Sequence, residues 1–327
     1  MDDFGEWVRD AFALGAGPLA RVVGGRGADG DIWHLRVGER EYAVKRPFRA
    51  VDADVVHREA ELLEYLAAHG VEVPTHVMTA DGRLVVEVPD ALGGGNARVS
   101  RWVAGTSVTD QTSEVAEPLG ALLARLHRAA PVTQDPPRAW YTTMVPTDEW
   151  TELIERSVGQ PWHGALLARE GDLTAYAEVV DRAGPGTGPF VRGHCDLHPD
   201  NALAAPDGSL RALDWEDCGP LDPTRELAKT LVQWHVLGED VDDTAIARTV
   251  AAYRKEGGPG MLAGTTDFAM VLCSETNFLA HQIRLALDGD AAGERREQAH
   301  GEITEALEDY LPSLSALDRV LDAAQLP

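Results

Sequence analysis

The hydrophobic pattern of this chain changes at about residue 104, and this change narrows the folds that the chain can adopt. Before residue 104, segments such as 32–37 and 41–46 alternate apolar and polar residues, which is the period of a half-buried strand. Beyond it, segments such as 116–129 place leucines three and four residues apart, a spacing typical of amphipathic helices. The sequence therefore predicts an α+β chain with a small strand-rich part followed by a larger helical part.

The predicted elements can be placed along the chain from these patterns. An opening helix leads into strands, and one further helix lies among them; the strands are 19–23, 32–37, 41–46, 83–88 and 97–103, and the helix is 58–69. The helices of the second part are 116–129, 148–157, 161–182, 224–236, 243–256, 266–288 and 295–311. A hairpin interrupts these helices, because the turn pair Asp207-Gly208 separates apolar segments at 202–204 and 210–213.

The charge and cysteine content of the chain limit its partners and its setting. The 327 residues include 29 Lys and Arg against 54 Asp and Glu, a formal net charge of −25. So acidic a chain repels nucleic-acid backbones and anionic membranes, and we expect neither as a partner. The first residues lack the pattern of a signal peptide, and the three cysteines lack metal-type pairing. We therefore expect a cytoplasmic protein with free thiols, as a monomer or a dimer.

Lysine is rare in this chain, which makes each lysine informative. Only Lys45, Lys229 and Lys255 occur, so arginine supplies nearly all of the positive charge. Each lysine is therefore a candidate for a specific role.

Two polar segments carry the residues with the strongest chemical meaning. Residues 193–201 read Gly-His-Cys-Asp-Leu-His-Pro-Asp-Asn, and residues 213–216 read Leu-Asp-Trp-Glu. Phosphoryl transfer needs a carboxylate for the acceptor hydroxyl and oxygen ligands for Mg²⁺ on the ATP phosphates. Asp196, Asn201 and Asp214 supply these groups in this order. The short hairpin after Asn201 should bring Asn201 and Asp214 to the same end of the site.

These segments resemble the catalytic and metal-binding signature of the aminoglycoside phosphotransferase family, whose members are relatives of protein kinases. The resemblance implies a protein-kinase-like bilobal fold, with a small antiparallel-sheet lobe and a larger helical lobe. The nucleotide-binding lobe would span residues 1–100, a hinge 101–104, and the helical lobe with the catalytic loop and acceptor site 105–327. The resemblance also implies roles for the motif residues: Asp196 as catalytic base, Asn201 and Asp214 as Mg²⁺ ligands, and His194 as structural support of the catalytic loop.

The resemblance extends to the binding of ATP or GTP in the first lobe. Lys45 matches the family's strand lysine that contacts the phosphates, and Glu59, or else Glu61, matches its glutamate partner. The turn 24–31 would cover the phosphates, since Gly25 and Gly27 fit a Gly-x-Gly-x-x-Gly spacing that is a weak signal by itself. The hinge residues expected near adenine are Arg101, Trp102 and Val103.

The acceptor is the part of the reaction that the sequence defines least. The acidic chain favours a small hydroxylated molecule that is cationic, such as an aminoglycoside-like antibiotic, and hence a role in resistance. Candidate acceptor residues are Glu216, Asp217, Glu275, Asn277 and His281, although an ordinary surface role fits each of them as well. Three alternatives stay open: a metabolite acceptor of the sugar, choline, homoserine or methylthioribose type, a non-aminoglycoside antibiotic, and a catalytically silent nucleotide-binding scaffold.

Two further patterns bear on these expectations. Asp222-Pro223 is typical of a helix N-cap followed by proline in the first turn. Asp214 is followed by Trp-Glu and not by Phe-Gly, which disfavours a protein kinase.

Overall fold

The structure is a computed structural model that describes residues 2–22, 30–48, 50–108, 113–186, 189–289 and 293–326. The chain divides into two compact units. The first unit comprises Met1–Thr109 and Asp200–Cys218, and the second comprises Asp110–Pro199 and Gly219–Pro327. The first is rich in strands and the second in helices, which confirms the α+β class. The lobe boundaries and the hinge at 101–104 stay predictions.

The described residues form the following elements. The helices are α1 (Asp2–Ala11), α2 (Ala53–Ala68), α3 (Ala116–Ala129), α4 (Thr147–Arg156), α5 (His163–Ala168), α6 (Glu170–Ala183), α7 (Pro223–His235), α8 (Asp243–Lys255), α9 (Ala269–Leu287), α10 (Gly293–Glu305) and α11 (Leu314–Ala324). The strands are β1 (Leu19–Arg21), β2 (Gly30–Val37), β3 (Arg40–Pro47), β4 (His76–Val77), β5 (Val85–Glu87), β6 (Asn96–Arg101), β7 (Thr106–Ser107), β8 (Val132–Thr133), β9 (Phe190–Gly193), β10 (Ala202–Ala204), β11 (Leu210–Ala212), β12 (Gly219–Leu221), β13 (Val236–Leu237) and β14 (Asp240–Val241).

The main sheet of the first unit is antiparallel. Its strands lie in the order β1-β2-β3-β6-β4, and β5 also pairs with β6. Alternation along β2 and β3 buries Trp33, Leu35, Tyr42 and Val44 in one core with apolar residues of α1. The pairing of β3 with β6 places Lys45 directly opposite Arg98.

Helix α2 begins where its sequence provides a cap. The Asp52 carboxylate accepts a hydrogen bond from the backbone N–H of Asp54 at 2.9 Å, which satisfies one unpaired donor of the first turn. The buried face of α2 includes Leu62 and Leu63, and Glu59 lies on this face, whereas Glu61 is exposed. Glu59 therefore places a carboxylate in the interior of the first unit.

The predicted hairpin is present and is part of a second sheet in the first unit. Strands β10 and β11 pair antiparallel, and β10 also pairs with β7. The Asp207 carboxylate accepts from the N–H of Ser209 at 3.0 Å, and Gly208 has a φ of 81°, a conformation that glycine adopts without strain. The turn pair Asp207-Gly208 was therefore a correct signal.

In the second unit, the short strand β9 leads into the motif segment that begins at Gly193. Strand β9 pairs with β12, with Gly193 opposite Gly219. Helix α7 begins at Pro223, and Asp222 caps it by accepting from the N–H of Thr224 at 2.8 Å, as predicted. Within the described ranges, no helix is both long enough and apolar enough to cross a membrane.

Candidate active site

Lys45 lies in β3, and its ammonium contacts two carboxylates from the segment 200–218 of the same unit. Its Nζ atom is 3.2 Å from Oδ1 of Asp214 and also donates a hydrogen bond to Glu216. Burial disfavours the charged ammonium, but the carboxylates of Asp214 and Glu216 outweigh burial and raise the pKa of Lys45. Lys45 is therefore a positive charge held beside Asp214.

Glu59 has partners other than the predicted one. Its Oε2 atom accepts from Nη1 of Arg98 at 2.9 Å, and its Oε1 atom lies 3.1 Å from Nε2 of His76. The predicted ion pair of Glu59 with Lys45 is therefore wrong. The reason is the position of Arg98, whose planar guanidinium donates to both Glu59 and Glu216. Burial would raise the pKa of Glu59, but His76 and Arg98 outweigh burial and lower it.

Arg98 is a member of this cluster that the sequence analysis missed. Like charges directly opposite each other in neighbouring strands repel, and Lys45 and Arg98 stand in that arrangement. The carboxylates of Glu59 and Glu216 offset this repulsion, because each accepts from at least one of the two cations. The available signal was a second basic residue in the strand before the predicted hinge.

Asn201 and Asp214 lie at the open end of the hairpin formed by β10 and β11. The backbone N–H of Leu213 donates to the carbonyl oxygen of Asn201 at 2.8 Å, which ties the two ends of the hairpin together. Asp214 has a φ of 52°, a left-handed conformation that is uncommon for residues other than glycine. Such strain is often found at functional positions, where the surrounding structure stabilises it.

The side chains of Asn201 and Asp214 suit a hard divalent cation. Both offer oxygen atoms, and Mg²⁺ usually takes only one or two protein ligands and completes its shell with phosphates and water. Across the described ranges, no cluster of three or more His, Cys, Asp or Glu side chains forms a complete metal site. The pair therefore fits an ion that a nucleotide helps to bind, and it does not amount to a closed structural metal site.

The structure describes only some of the other residues that were predicted to bind the nucleotide. Gly25 and Gly27 lie outside the described residues. The Trp102 ring stacks on His34 with ring centroids 4.0 Å apart. The backbone N–H of Trp102 donates to the carbonyl oxygen of Glu41 at 3.0 Å. The other two predicted hinge residues differ in burial. Arg101 is exposed, with its guanidinium over the ring of Tyr42, whereas Val103 is buried.

Asp196 lies in the second unit, in the loop after β9. The residue before it, Cys195, has a φ of 69°, so the chain turns sharply there. The backbone N–H of Asp196 donates to Nδ1 of the buried His194 at 3.2 Å. A Cβ atom at Gly193 would lie 2.6 Å from Leu221 and 2.8 Å from Oε2 of Glu226, so a side chain at this position would have to displace both of these groups.

Glu226 of α7 supports this loop by a hydrogen bond to its backbone. Its Oε1 atom accepts from the N–H of Cys195, and its Oε2 atom lies 2.7 Å from Nε2 of His127. Burial would raise the pKa of Glu226, but His127 outweighs it and lowers the pKa. The hydroxyl of Tyr253 lies 2.7 Å from Nδ1 of His127 and completes the network. The positive φ of Cys195 is therefore maintained by a buried, hydrogen-bonded carboxylate.

Lys229, one turn beyond Glu226, contacts the side chain of Asp196 directly. Its Nζ atom donates to Oδ1 of Asp196 at 2.8 Å and to Oε1 of Gln233 at 3.1 Å. Burial would raise the pKa of Asp196, but the Lys229 ammonium and His198 outweigh burial and hold that pKa well below its ordinary value. The sequence analysis assigned Lys229 no role, although the rarity of lysine had marked it.

The acceptor candidates are largely engaged by the protein itself. Glu216 belongs to the first unit and binds Lys45 and Arg98. Both N–H donors of Asn277 are used by the carbonyl oxygens of Trp140 and Thr143, at 3.0 and 2.8 Å.

Glu275 lies near Lys229 and accepts from Nε2 of Gln233 at 3.0 Å. Its enclosure outweighs the nearby ammonium and raises the pKa of Glu275. Asp217 and His281 are half-buried, in the turn after Asp214 and in α9.

Comparison with known proteins gives relatives in sequence and in fold. A homoserine kinase of Cupriavidus metallidurans is 29% identical over 222 residues, which cover 64% of this chain and 62% of that protein. The chain spans between 43% and 62% of the length of the curated relatives that it matches.

Two solved structures share the fold over nearly their whole length. A spectinomycin phosphotransferase in complex with ADP and spectinomycin has a TM-score of 0.69 and 12% identity, covering 99% of this chain and 98% of that one. A microcompartment-associated aminopropanol kinase has a TM-score of 0.64 and 17% identity, covering 99% of each chain. These similarities confirm the predicted kinase-like fold.

A model of a whole protein family also matches the sequence of this chain. The family model of the phosphotransferase enzymes covers residues 22–264, which include every motif residue of the loop after β9 and of the hairpin. This match confirms the resemblance inferred from the residues. The chain belongs to the phosphotransferase enzyme family.

Proposed function

We propose that this protein is an O-phosphotransferase that uses ATP and Mg²⁺ to phosphorylate a hydroxyl group of a small molecule. The observation that carries the proposal is the cluster in the first unit, where Asn201 and Asp214 end one hairpin and the Lys45 ammonium lies 3.2 Å from Asp214. Oxygen ligands beside a fixed ammonium are what the phosphates of a nucleotide and their cation require. Family membership supports the same reaction class.

The residues divide the proposed reaction between them. Lys45 would offset the charge of the phosphates, and Asn201 and Asp214 would hold Mg²⁺, which supplies further charge neutralisation when bound. Asp196 would accept a hydrogen bond from the acceptor hydroxyl and take its proton as the acceptor oxygen forms a bond to the γ-phosphorus. The bond from that phosphorus to the bridging oxygen breaks, and its electron pair leaves with ADP.

Two classes of acceptor have specific support. A small amino alcohol or hydroxy amino acid is favoured because relatives are named homoserine kinases. It is favoured also because Glu216 already binds two cations of the protein, and because burial raises the pKa of Glu275 and so disfavours the charged form that would attract a polycation. An aminoglycoside-like antibiotic, and a role in resistance, is the second candidate, since the spectinomycin phosphotransferase shares the fold.

The test is an ADP-release assay with the purified chain, Mg²⁺ and a panel of acceptors. The panel comprises homoserine, 1-amino-2-propanol, choline, methylthioribose, spectinomycin, further aminoglycosides and a macrolide, each with ATP and with GTP. We expect turnover with a member of the first four and its loss in Asp196→Ala, with circular dichroism unchanged.

Other results of this assay would support one of the alternative functions or refute the proposal. Turnover confined to the antibiotics would select the resistance role. Nucleotide binding without turnover on the whole panel would refute the enzyme and leave the silent scaffold. Full activity of Asp196→Ala would refute the assignment of the base. A cytoplasmic location and the monomer or dimer state stay predictions. None of the three cysteines, all of which lie in the described residues, forms a disulfide.

A further inference from the structure

We propose that Lys229 is a positioning residue for the transfer reaction, which fixes one carboxylate oxygen of Asp196 and keeps the carboxylate ionised and aligned for the acceptor hydroxyl. This inference rests on the proposed function, because it concerns the same carboxylate. It assigns a role to a residue outside the motif, on a helix that starts more than twenty residues later.

The geometry of the contact is that of a buried, charge-assisted hydrogen bond. Nζ of Lys229 lies 2.8 Å from Oδ1 of Asp196, within the short range typical of such bonds. The Lys229 side chain is 2% exposed, whereas that of Asp196 is 30% exposed. The ammonium is therefore shielded from water, while the carboxylate it holds keeps a face that a substrate can reach.

Two further side chains hold the ammonium in place. Gln233 lies one helical turn after Lys229, and its Oε1 atom accepts from Nζ at 3.1 Å. Its Nε2 atom donates to Oε1 of Glu275 on α9 at 3.0 Å. Because Gln233 accepts from Lys229 and donates to Glu275, both ends of its amide are held, and Lys229 cannot turn away from Asp196 without breaking this chain.

The charges around Lys229 make Asp196 its main counter-ion. The groups that face this pair are His198 in the same loop, with Nε2 3.5 Å from Oδ2 of Asp196, Glu226 on α7 and Glu275 on α9. Glu226 is already bound by His127 and by a backbone N–H. Burial raises the pKa of Glu275, which favours its neutral form. A buried ammonium without a counter-ion is unfavourable, so Asp196 must be ionised for Lys229 to stay charged.

An ionised but weakly basic carboxylate suits phosphoryl transfer. The transition state is loose in most analyses, so the attacking oxygen keeps its proton late and the carboxylate acts chiefly by orienting the hydroxyl. Lys229 would lower the basicity of Asp196, yet it would ensure the ionised form and restrict its rotation. Orientation of this kind accounts for a large share of enzymatic rate acceleration.

The experiment compares pH profiles of kcat/KM between about pH 4 and 8 for Lys229→Met, Lys229→Arg and the wild type. The matched control is Lys255→Met, which removes the same charge from an exposed site at the end of α8. The acceptor is whichever member of the panel described under the proposed function the wild type turns over fastest. ATP titrates equally in all variants, so a difference between two pH profiles comes from a titrating group of the protein.

For Lys229→Met we expect kcat to fall by about 10²-fold, with KM for ATP unchanged. We also expect an additional acid limb to enter the measured pH range, because Asp196 of the wild type titrates below that range. Lys229→Arg should keep the wild-type acid limb, because it keeps the charge. Lys255→Met should match the wild type. A Lys229→Met profile with the wild-type acid limb would overturn the proposal, even if kcat fell.

If Lys229→Met does not fold, Gln233→Met provides the second test. It leaves the ammonium but removes the amide that orients it, so kcat should fall while the acid limb stays in place. An unchanged kcat in this variant would also overturn the proposal. A wild type without turnover on any acceptor of the whole panel would instead refute the proposed function, so the two failures are distinguishable.

Discussion

The replacement of Arg98 by methionine tests the cluster of the first unit most directly. Methionine retains much of the length of the side chain but none of its charge, so Glu59 loses the donor at 2.9 Å and Glu216 loses one of its two cations. The Arg98 and Glu59 side chains are 8% and 5% exposed, so their interaction is that of a buried pair.

The size of the effect follows from what remains around each carboxylate. Removal of one partner of a buried ion pair costs about 3–5 kcal/mol. Glu59 keeps His76, and Glu216 is 37% exposed, so water screens its loss and adds little. We therefore expect a loss of about 3 kcal/mol in the free energy of unfolding, and a coupling energy with Glu59→Gln of about 2 kcal/mol.

The pH dependence gives an independent check with a defined sign. The pKa of Glu59 is lowered in the folded protein, so its stabilisation is complete above its unfolded pKa of about 4.3 and is lost as pH falls through the folded value. The difference between the wild type and Arg98→Met should thus be largest at neutral pH and shrink on acidification.

The assay is urea unfolding followed by tryptophan fluorescence, with Trp33 in the core of the first unit as one reporter. The double-mutant cycle consists of the wild type, Arg98→Met, Glu59→Gln and the double variant. Arg36→Met is the matched control, because it breaks an exposed pair with Glu41 in the same sheet and should leave stability unchanged. A cost below about 1 kcal/mol for Arg98→Met would refute the reasoning.

Three further predictions concern single positions. Burial lowers the pKa of His235 to about 4, so the stabilisation by its neutral form is complete above about pH 6.5 and is lost as the pH falls toward 4. Thermal unfolding should show that the free energy of unfolding falls by about 2 kcal/mol between pH 7 and 5, and that this fall is absent in His235→Gln. Gly193→Ala should cost about 1–3 kcal/mol in the free energy of unfolding and lower kcat, because its Cβ would lie 2.6 Å from Leu221; a wild-type melting temperature would contradict this. Asp214→Asn should raise the Mg²⁺ concentration for half-maximal turnover by about 10-fold or more, and an unchanged Mg²⁺ titration would argue against its role as a ligand.

The elements that the sequence predicted best are those with strong local signals. The helix predicted at 116–129 matches α3 residue for residue, because its leucines repeat at helical spacing over most of its length. Helix α7 begins where Asp222 and Pro223 indicated. The single helix predicted over 161–182 is instead α5 and α6, divided at Arg169, since the apolar spacing alone does not mark a break between two short helices.

The side-chain partners were predicted less well, because they depend on register and on contacts between distant elements. Lys45 was assigned to Glu59 from a family pattern, but the pairing of β3 with β6 brings Arg98 to Glu59 instead. Lys229 was marked only by the rarity of lysine, since its contact with Asp196 joins a loop and a helix 33 residues apart.

The first unit is assembled from two stretches of chain, and this affects the order of its folding. Lys45 and Asp214 are 169 positions apart, and β7 pairs with β10 from the second stretch. At about 5–20 residues per second, a ribosome needs roughly 5–20 seconds to extend a nascent chain from the end of the first stretch to the end of the second. During that time Lys45 and Arg98 stand opposite each other without the carboxylates of Asp214 and Glu216, and the β7 edge has no β10 to pair with. The strand-rich unit, although its first stretch precedes the helical unit along the chain, therefore completes its folding only after residue 218 has been synthesised.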